Sequence, residues 1–436
     1  MFRKIIAVFL IMGMLAPPSY AAASDESEII LKLLVKKGII TQQEVDEMRA
    51  EIKKEKELAK TEEKPLEDRV AKVEEDILSK VGLDKISSKL KLKGRFAAGY
   101  FNSNKKGSFD KGSFQAPEAK LQFTFAPDDI NSVIMRLNLN NATFNNLDYF
   151  YLDTNLLKLT PWKDKPFTLS SRLGRMKVDF GEETWSNNPV ESAVISNSAS
   201  NVAGNDEGLQ LSGKIGKARP LSWSAGIFNG NSGSGADNNW AKAFSGKLSY
   251  NLLDPLYISG SYFNTGKLSA GTSSEVGIAG ITAPPANTDV WTRQLFEFDA
   301  RYDFKKGKVL NPPAYCDSLA FIRIAYGRFI DNITESAPRS MVKLDREGNY
   351  GFVEGLWNVT KKFYTAARAS IIDLDGTDKL TSLNSVSSNQ YQRYSVGVGY
   401  RLTGATILKG EYTFNESRDG NDADDSQFAA VIASQF

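Results

Sequence analysis

The sequence lacks histidine altogether and contains one cysteine, Cys316, among its 436 residues. Without histidine, the chain cannot form a Ser-His-Asp or Cys-His catalytic arrangement, a His-ligated metal site or a covalent c-type haem site. A lone cysteine excludes an intramolecular disulfide. Acid–base chemistry would have to rest on carboxylates, and no constellation of carboxylates stands out. We therefore expect no enzyme activity, no metal site and no cofactor.

Long apolar runs are also absent, except at the N-terminus. Beyond Ala23, no run reaches the roughly 18 apolar residues that a membrane-spanning helix needs. The N-terminus has Arg3 and Lys4, then an apolar stretch over 5–15 and small residues up to Ala23. This order is typical of a secretory signal peptide, predicted here as residues 1–23. No cysteine lies at its cleavage site, so a lipid anchor on a processed N-terminal cysteine is excluded, and the chain is predicted to be exported.

Residues 24–87 have helical periodicity. Gly38 is suited to cap a first helix, and Thr41 with Glu44 forms a capping box that begins a second one. After Pro65, apolar residues follow heptad spacing at Leu66, Val70, Val73 and Ile77. Two heptads are too few for a coiled coil to be stable alone. The segment is either a periplasmic coiled coil, assembled because the attached domains hold the helices side by side, or a solvated helical spacer.

From Ser88 onward the pattern alternates with a period of two residues, which is typical of β-strands. In the first such segment Leu90, Leu92 and Phe96 share one face. The other face is basic and carries Lys89, Lys91, Lys93 and Arg95. A soluble sandwich would bury the apolar row, whereas a membrane barrel would turn it toward lipid and direct the basic row into a water-filled lumen.

Sixteen segments of this kind can be counted between residue 88 and the C-terminus. Short turns such as 127–130 and 403–404 alternate with longer polar connections such as 263–288, which is the arrangement of outer-membrane barrels. A soluble sandwich would have to hide more apolar surface than two sheets can cover. The sequence therefore predicts an all-β fold, in which residues 88–436 form a 16-stranded antiparallel transmembrane β-barrel preceded by the helical segment.

The last residues read as the closing strand of such a barrel. Phe428, Ile432 and the terminal Phe436 share one face, and the last strand of a closed barrel must pair with the first. This ending resembles the C-terminal signal that the assembly machinery of outer-membrane barrels reads. We therefore predict that Phe436 acts as the assembly signal.

Several predicted strands carry short characteristic stretches, namely Arg172–Lys177 followed by Phe180–Glu182, Glu207–Gly213, Ala225–Gly230, Lys409–Tyr412 and the terminal Phe436. Together with the helical segment, they resemble porins related to the phosphate-selective O and P type. The resemblance implies a trimeric, sixteen-stranded porin in the outer membrane of a Gram-negative bacterium. It also implies that the third external loop folds inward and narrows the pore.

Basic side chains are concentrated on the inner face of the predicted barrel. Residues 88–436 contain 39 basic and 35 acidic residues, a balance too even for nucleic-acid binding. By strand parity, the acidic residues on the inner face are Glu297, Asp299, Glu354 and Glu411. The basic residues there are far more numerous: Lys89, Lys91, Lys93, Arg95, Lys120, Arg136, Arg172, Lys214, Lys247, Arg301, Arg323, Arg368, Arg393, Arg401 and Lys409. We therefore expect a basic pore lining and a preference for anions.

The connection after the fifth strand, Val178–Glu207, contains no basic residue, and its acidic residues are Asp179, Glu182, Glu183, Glu191, Asp206 and Glu207. If it folds inward, its first four acids would face the basic wall across the constriction. The resulting transverse field would suit a general porin for small polar solutes. A dedicated phosphate site would need several converging donors with little acid nearby.

The predicted function is passive diffusion of small hydrophilic solutes and ions through a water-filled outer-membrane porin that prefers anions. The alternative is a structural barrel, either a tether or the sheath of a multiprotein complex such as an electron conduit, whose haems would come from partner proteins. The expected partners are outer-membrane lipids, small polar or anionic solutes and two further copies of the chain in a homotrimer.

Overall fold

The computed structural model describes residues 89–105, 107–140, 146–162, 165–217, 219–231, 240–269, 272–281, 288–304, 318–335, 345–375, 380–381, 387–418 and 425–436. The predicted signal peptide, the helical segment over 24–87 and Cys316 lie outside these residues. Within them, no helix has the length and apolarity to cross a membrane.

The described residues form sixteen long strands in one antiparallel sheet. In chain order the strands are β1 (Leu90–Ser103), β2 (Ser113–Phe125), β3 (Asn131–Asn138), β4 (Asn146–Asn155), β5 (Phe167–Lys177), β6 (Asn205–Ile215), β7 (Leu221–Phe228), β8 (Ala243–Leu253), β9 (Leu256–Asn264), β10 (Thr288–Asp303), β11 (Ala320–Glu335), β12 (Arg346–Asn358), β13 (Phe363–Leu374), β14 (Gln390–Arg401), β15 (Thr406–Arg418) and β16 (Gln427–Gln435).

The sheet closes on itself because β16 pairs antiparallel with β1, in a register that runs from Arg95↔Gln435 to Ser103↔Gln427. The C-terminal residue extends this seam. The backbone N–H of Gly94 donates to the carbonyl of Phe436 at 3.0 Å, and the N–H of Phe436 donates to the carbonyl of Gly94 at 3.0 Å. Closure satisfies the backbone groups that an open sheet edge would leave unpaired. The predicted sixteen-stranded antiparallel barrel is confirmed.

The two faces of the barrel differ in composition as the two-residue period requires. The outer face exposes large apolar side chains, among them Leu173, Leu248 and Tyr326, which are 59%, 57% and 58% exposed. The inner face buries polar and charged groups together with aromatic rings such as Phe263 and Phe329. An apolar outer band around a polar interior is the arrangement that a lipid bilayer stabilises.

The facing of β4 could not be assigned from the sequence, and the structure gives the reason. The pairing of β3 with β4 is irregular between Arg136 and Leu137, whose partners are Tyr149 and Leu147. The extra residue in β4 is Asp148, and such a bulge interrupts the alternation of faces. As a result Asp148 also contacts Arg136 on the inner face.

The connections at the two ends of the barrel differ in length. At the end near the start of β1, five turns are short: 126–130, 216–220, 254–255, 359–362 and 402–405. We call this the short-turn end. At the opposite end, the connection between β5 and β6 occupies residues 178–204. It ends earlier than the predicted Val178–Glu207, because Asp206 and Glu207 already belong to β6.

Candidate functional site: the inner loop and the passage beside it

Residues 178–204, which we call the inner loop, fold into the barrel instead of extending outward. Gly181 makes the turn that allows this, with φ of 60°, a conformation that favours glycine. A Cβ atom at this position would lie 2.3 Å from a carboxylate oxygen of Glu297. The Gly181 N–H donates to Ser261 Oγ at 3.0 Å, and its carbonyl accepts from Lys247 Nζ at 2.8 Å. The loop therefore starts out fastened to the inner wall.

Lys247 of β8 forms ion pairs with the first two acids of the inner loop. Its Nζ lies 3.2 Å from Asp179 Oδ1 and 2.9 Å from Glu182 Oε1, and the Tyr257 hydroxyl donates to Glu182. Burial by itself would raise the pKa of Asp179. Lys247 and the hydrogen bonds from Ser224, Lys247 and Trp185 outweigh it, so that the pKa of Asp179 is lowered. Asp179 is thus held as a charged partner of Lys247.

A second ion-pair cluster lies farther around the wall. Glu354 of β12, whose side chain is 0% exposed, lies 3.0 Å from Arg323 and also contacts Arg368. Arg368 Nη1 in turn lies 3.2 Å from Glu183 Oε1 and donates to the Ser196 carbonyl at 3.0 Å. Two wall cations and two acids therefore pair with one another in one buried cluster. This cluster joins the wall to the short helix α1 (Glu183–Ser186).

The far end of the inner loop is held by β13 to β15. Glu411 accepts hydrogen bonds from the Ser196 N–H at 2.8 Å and from the Ile195 N–H. Lys409 Nζ donates to Ser192 Oγ at 2.9 Å, and the Ala199 N–H donates to a wall serine at 2.9 Å. The inner loop thus packs along the β8–β15 side of the barrel, and the half formed by β8–β13 is filled by the ion pairs described above.

The opposite side of the lumen stays open. A cavity of about 540 Å³ and another of about 600 Å³ are both lined by Arg95, Lys120 and Arg136. We call these two cavities the passage. The three basic residues lie on β1, β2 and β3, with Arg95 directly opposite Lys120 in the register. They border both cavities, and the other side of the passage is formed by inner-loop residues such as Asn187, Asn188 and Glu191.

Two acids lie between the basic side chains Arg95, Lys120 and Arg136. Glu118 contacts Arg95 and lies 3.5 Å from Lys120. Asp148 lies 3.2 Å from Lys120 and 2.8 Å from Arg136. The result is a row of alternating charge that carries one more positive than negative charge. These side chains keep partial access to water, at 21%, 16% and 13% exposure for the three cations.

Aromatic rings of β4 support the neighbouring arginines. The Arg136 guanidinium lies 4.0 Å from the centre of the Tyr149 ring, and the Tyr149 hydroxyl donates to Gln122 at 2.9 Å. Arg172 lies 5.4 Å from the centre of the Tyr151 ring. Cation–π contacts of this kind restrain a guanidinium without neutralising it.

The residues predicted to line a basic pore have different surroundings. Lys93, Arg95, Lys120, Arg136 and Lys409 line the passage, whereas Arg323 and Arg368 are buried in ion pairs. Four other predicted residues donate hydrogen bonds within the protein: Lys89 to Pro127, Arg172 to Asp153, Arg393 to Asn197 and Arg401 to Asn358. Lys91 is exposed on β1.

The loop acids differ from the expectation in a similar way. Asp179, Glu182 and Glu183 contact wall cations of the filled half, while Glu191 lines the passage. Among the four loop acids, Glu191 alone lines the passage, while Asp179 and Glu182 share Lys247 and Glu183 pairs with Arg368. Phe436, the predicted assembly signal, lies beside Gly94, where a Cβ atom would come within 2.3 Å of its ring.

Sequence reasoning missed three further residues of the passage. Glu118 lies two positions before Lys120 and so shares its face, which parity could have shown. Asp148 is brought inside by the bulge in β4. Lys177, at the end of β5, lines the cavity of about 540 Å³ and lies 4.9 Å from the centre of the Trp185 ring. The passage is thus lined by six basic residues (Lys93, Arg95, Lys120, Arg136, Lys177 and Lys409) and three acidic residues (Glu118, Asp148 and Glu191).

No protein-family model matches the sequence, and no curated protein matches it. Among solved structures, the barrel is similar to the outer membrane channel DcaP of Acinetobacter baumannii, with a TM-score of 0.54 and 12% identity over 80% of this chain and 97% of that one. It is also similar to the trimer form of OmpT of Vibrio cholerae, with a TM-score of 0.51 and 11% identity over 80% of this chain and 99% of that one. For Salmonella typhi OmpF in complex with daunomycin, the TM-score is 0.50 and the identity 12%, over 80% of this chain and 97% of that one.

At these identities the likeness concerns the fold. The three similar structures are outer-membrane proteins whose barrels match this one over nearly their full length. The exposed apolar outer face of this chain also indicates a barrel that lies in a membrane, since only lipid can cover it along the whole circumference. The fold, together with this outer face, is that of a sixteen-stranded β-barrel of the Gram-negative outer membrane.

Proposed function

We propose that the protein is an outer-membrane channel for the passive diffusion of small hydrophilic solutes and ions, with a preference for anions. The observation that carries the proposal is the passage, whose two cavities of about 540 and 600 Å³ lie beside the inner loop and share Arg95, Lys120 and Arg136 as lining residues. Its walls offer charged groups and amides to a solute, and the inner loop restricts its width. Such a path passes small solutes by size and charge without requiring a conformational change.

The anion preference is supported by the charges that remain open to the solute. Of the six basic side chains that line the passage, Lys409 is buried and donates to Ser192, so that five basic and three acidic side chains remain. Three of the four loop acids that could oppose this excess are paired with wall cations instead. Because counter-ions screen charges poorly in a narrow space with a low-dielectric wall, a small excess of positive charge produces a substantial potential.

The same row of charges argues against a site dedicated to phosphate. Glu118 and Asp148 lie between the three central cations and accept their hydrogen bonds and ion pairs. A multiply charged anion at this level would have to displace these carboxylates or approach them closely. We therefore propose small monovalent anions and polar solutes as the permeating class.

A sheath around an electron conduit is the less favoured function, because it would require a lumen wide enough for a partner protein. In the described part of the chain, the inner loop occupies that space and is fastened by Lys247, Arg368 and Glu411. We therefore propose a channel rather than a sheath or an enzyme.

Reversal potentials in planar bilayers test the proposal. With a KCl gradient across the membrane, the purified protein is expected to form open channels whose reversal potential has the sign of chloride preference. The preference should weaken as salt is raised, because mobile ions screen the fixed charges. Protein that inserts as folded barrels without conducting would overturn the channel, and a cation preference would overturn the charge argument.

We also propose that the channel assembles as a homotrimer and that Phe436 is needed for insertion. The trimer proposal draws on the similar fold of OmpT of Vibrio cholerae, which was solved in a trimer form. The Phe436 proposal draws on its pairing with Gly94 at the barrel seam. Native mass spectrometry is expected to report three chains, and deletion of Phe436 should lower the amount of inserted barrel. A monomeric mass, or normal membrane levels of the truncated chain, would contradict the respective proposal.

A further inference from the structure

A separate cavity of about 250 Å³ lies outside the passage, in the part of the lumen bounded by β5 to β8. We call it the side chamber. Its wall residues come from the starts of β5 and β7 and the ends of β6 and β8, which places it toward the short-turn end. Asp179 and Trp185 of the inner loop also line it. The chamber therefore lies beneath the loop, where a solute that has entered the lumen could stop.

The walls of the side chamber are rich in hydroxyl groups. Six of its lining residues carry one: Thr168, Ser170, Ser212, Ser222, Ser224 and Ser249. Hydroxyls can both donate and accept hydrogen bonds, so that together they can pair with a ligand that has several hydroxyls of its own. Trp185 adds a flat apolar surface of the kind that can pack against a ring or a carbon chain. This composition differs from the passage, whose walls are dominated by charges.

Gln210 provides the observation that points to a ligand. Its side chain is 1% exposed and lines the chamber, and its Oε1 atom has no hydrogen-bond partner among the described residues. A buried carbonyl oxygen without a partner is energetically costly. Because Oε1 can only accept, the missing partner has to be a donor such as a hydroxyl group.

The charges of the side chamber favour a single negative charge on that ligand. Lys247 is paired with Asp179, and Arg172 lies 3.0 Å from Asp153. Lys214 also lines the chamber, and no ion pair is found for it among the described residues. Its ammonium group is therefore left to balance an anionic group of a ligand, while the other charges of the chamber already balance one another.

We propose that the side chamber binds a small polyhydroxylated monoanion of the sugar-acid class, with Lys214 binding the carboxylate and Gln210 accepting from a ligand hydroxyl. This inference rests on the proposed channel, through which the ligand reaches the chamber. It adds a binding step to a path that would otherwise only filter by size and charge. A cavity of about 250 Å³ suits such a compound, being slightly smaller than typical pockets for drug-sized ligands.

Isothermal titration calorimetry with D-gluconate tests this site on the intact detergent-solubilised protein, with D-glucose as the uncharged comparison. Gluconate is expected to bind saturably and glucose at least about tenfold more weakly, the loss expected for one charge-assisted hydrogen bond. Lys214→Gln and Gln210→Leu should each weaken gluconate binding by a similar factor. Lys214 is exposed, so its replacement is expected to leave folding intact even if Gln210→Leu does not.

Lys91→Gln is the matched control, because Lys91 is an exposed lysine on the inner face that does not line the chamber. It should leave the affinity for gluconate unchanged. No saturable binding, equal binding of glucose and gluconate, or an equal loss in Lys91→Gln and Lys214→Gln would each overturn the proposal. Bilayer recordings on the same preparation keep the two proposals apart: normal chloride conductance without gluconate binding removes the chamber only, and binding without conductance removes the channel only.

Discussion

The two halves of the barrel use the same residue types for different purposes. In the half formed by β8–β13, Lys247, Arg323 and Arg368 are at most 6% exposed and paired with acids of the inner loop and the wall. In the half formed by β1–β4, Arg95 and Arg136 are partly exposed and border open cavities. The first set holds the loop in place, and the second set acts on whatever passes beside it.

This difference shows why the number of lumenal charges does not measure the field in a pore. A cation paired with a carboxylate in a buried cluster contributes to the position of the loop but adds little net potential. A cation that borders water acts on solutes wherever the neighbouring carboxylates leave a net positive charge. Selectivity therefore depends on which acids the loop brings to which wall.

The largest effect is expected from Glu354→Gln in the filled half. The side chain of Glu354 is 0% exposed and lies between Arg323 and Arg368. Removing its charge leaves two buried cations without their shared partner, and breaking a buried pair in this way costs about 3–5 kcal/mol. We expect that loss in the free energy of unfolding, measured by urea titration of the barrel in lipid vesicles. The control is Glu347→Gln on an exposed pair with Arg328, which should cause no measurable change. Equal stability of the two variants would contradict a structural role for the filled half.

The next effect concerns the open half, through the triple replacement of Arg95, Lys120 and Arg136 by Gln. These residues line both cavities of the passage, so the variant should lose much of its anion preference, most strongly at low salt. Reversal potentials in a KCl gradient measure the change. Glu118 and Asp148 remain in the variant and become unpaired, which is expected to move the channel toward cation preference. An unchanged reversal potential would mean that ions take another path.

A smaller effect is expected from Glu191→Gln, compared with Glu183→Gln. Glu191 lines the passage, whereas Glu183 is paired with Arg368 in the filled half. Neutralising Glu191 should increase the anion preference modestly, because it removes one of three open acids. Neutralising Glu183 should lower the stability of the barrel more than it changes the reversal potential. If Glu183→Gln changes the reversal potential more and Glu191→Gln lowers the stability more, Glu183 and not Glu191 lies beside the ion path.

The smallest effect is expected from Tyr149→Leu beside Arg136. The replacement removes a cation–π contact at 4.0 Å and a hydrogen bond to Gln122, which together contribute about 1 kcal/mol. We expect a loss of stability of that size in the same urea titration. Ion selectivity should stay close to that of the parent protein, because the charge of Arg136 is retained. A large change in selectivity would show that the ring itself controls the passage.

Much of the barrel could be predicted because its pattern is local. Leu90 and Leu92 alternate with Lys91 and Lys93 on a single strand, and a two-residue period assigns each to a face without knowledge of its neighbours. The closing strand could be recognised for the same reason. The pattern failed at β4, where the bulge at Asp148 can be seen only in the pairing with β3.

The partners of the charged residues could not be predicted. Lys247 and Asp179 are 68 positions apart, and Arg368 and Glu183 are 185 positions apart. Nothing in their local sequence distinguishes Arg368, which is buried in a cluster, from Arg136, which borders water. The acids of the inner loop were expected to face the constriction because their positions along the loop do not indicate toward which wall it turns.

The order of apolar and polar residues thus determined the strands, their faces and the closed barrel, since each strand must present one side to lipid and the other to the lumen. The tertiary structure decided which charges remain open. Gly181 turns the inner loop toward β8–β15, where its acids pair with lysines and arginines. The opposite wall keeps an excess of basic groups along the passage, because most of the loop acids pair with the other wall. Which charges pair depends on their distance in the folded barrel and not on their separation along the chain.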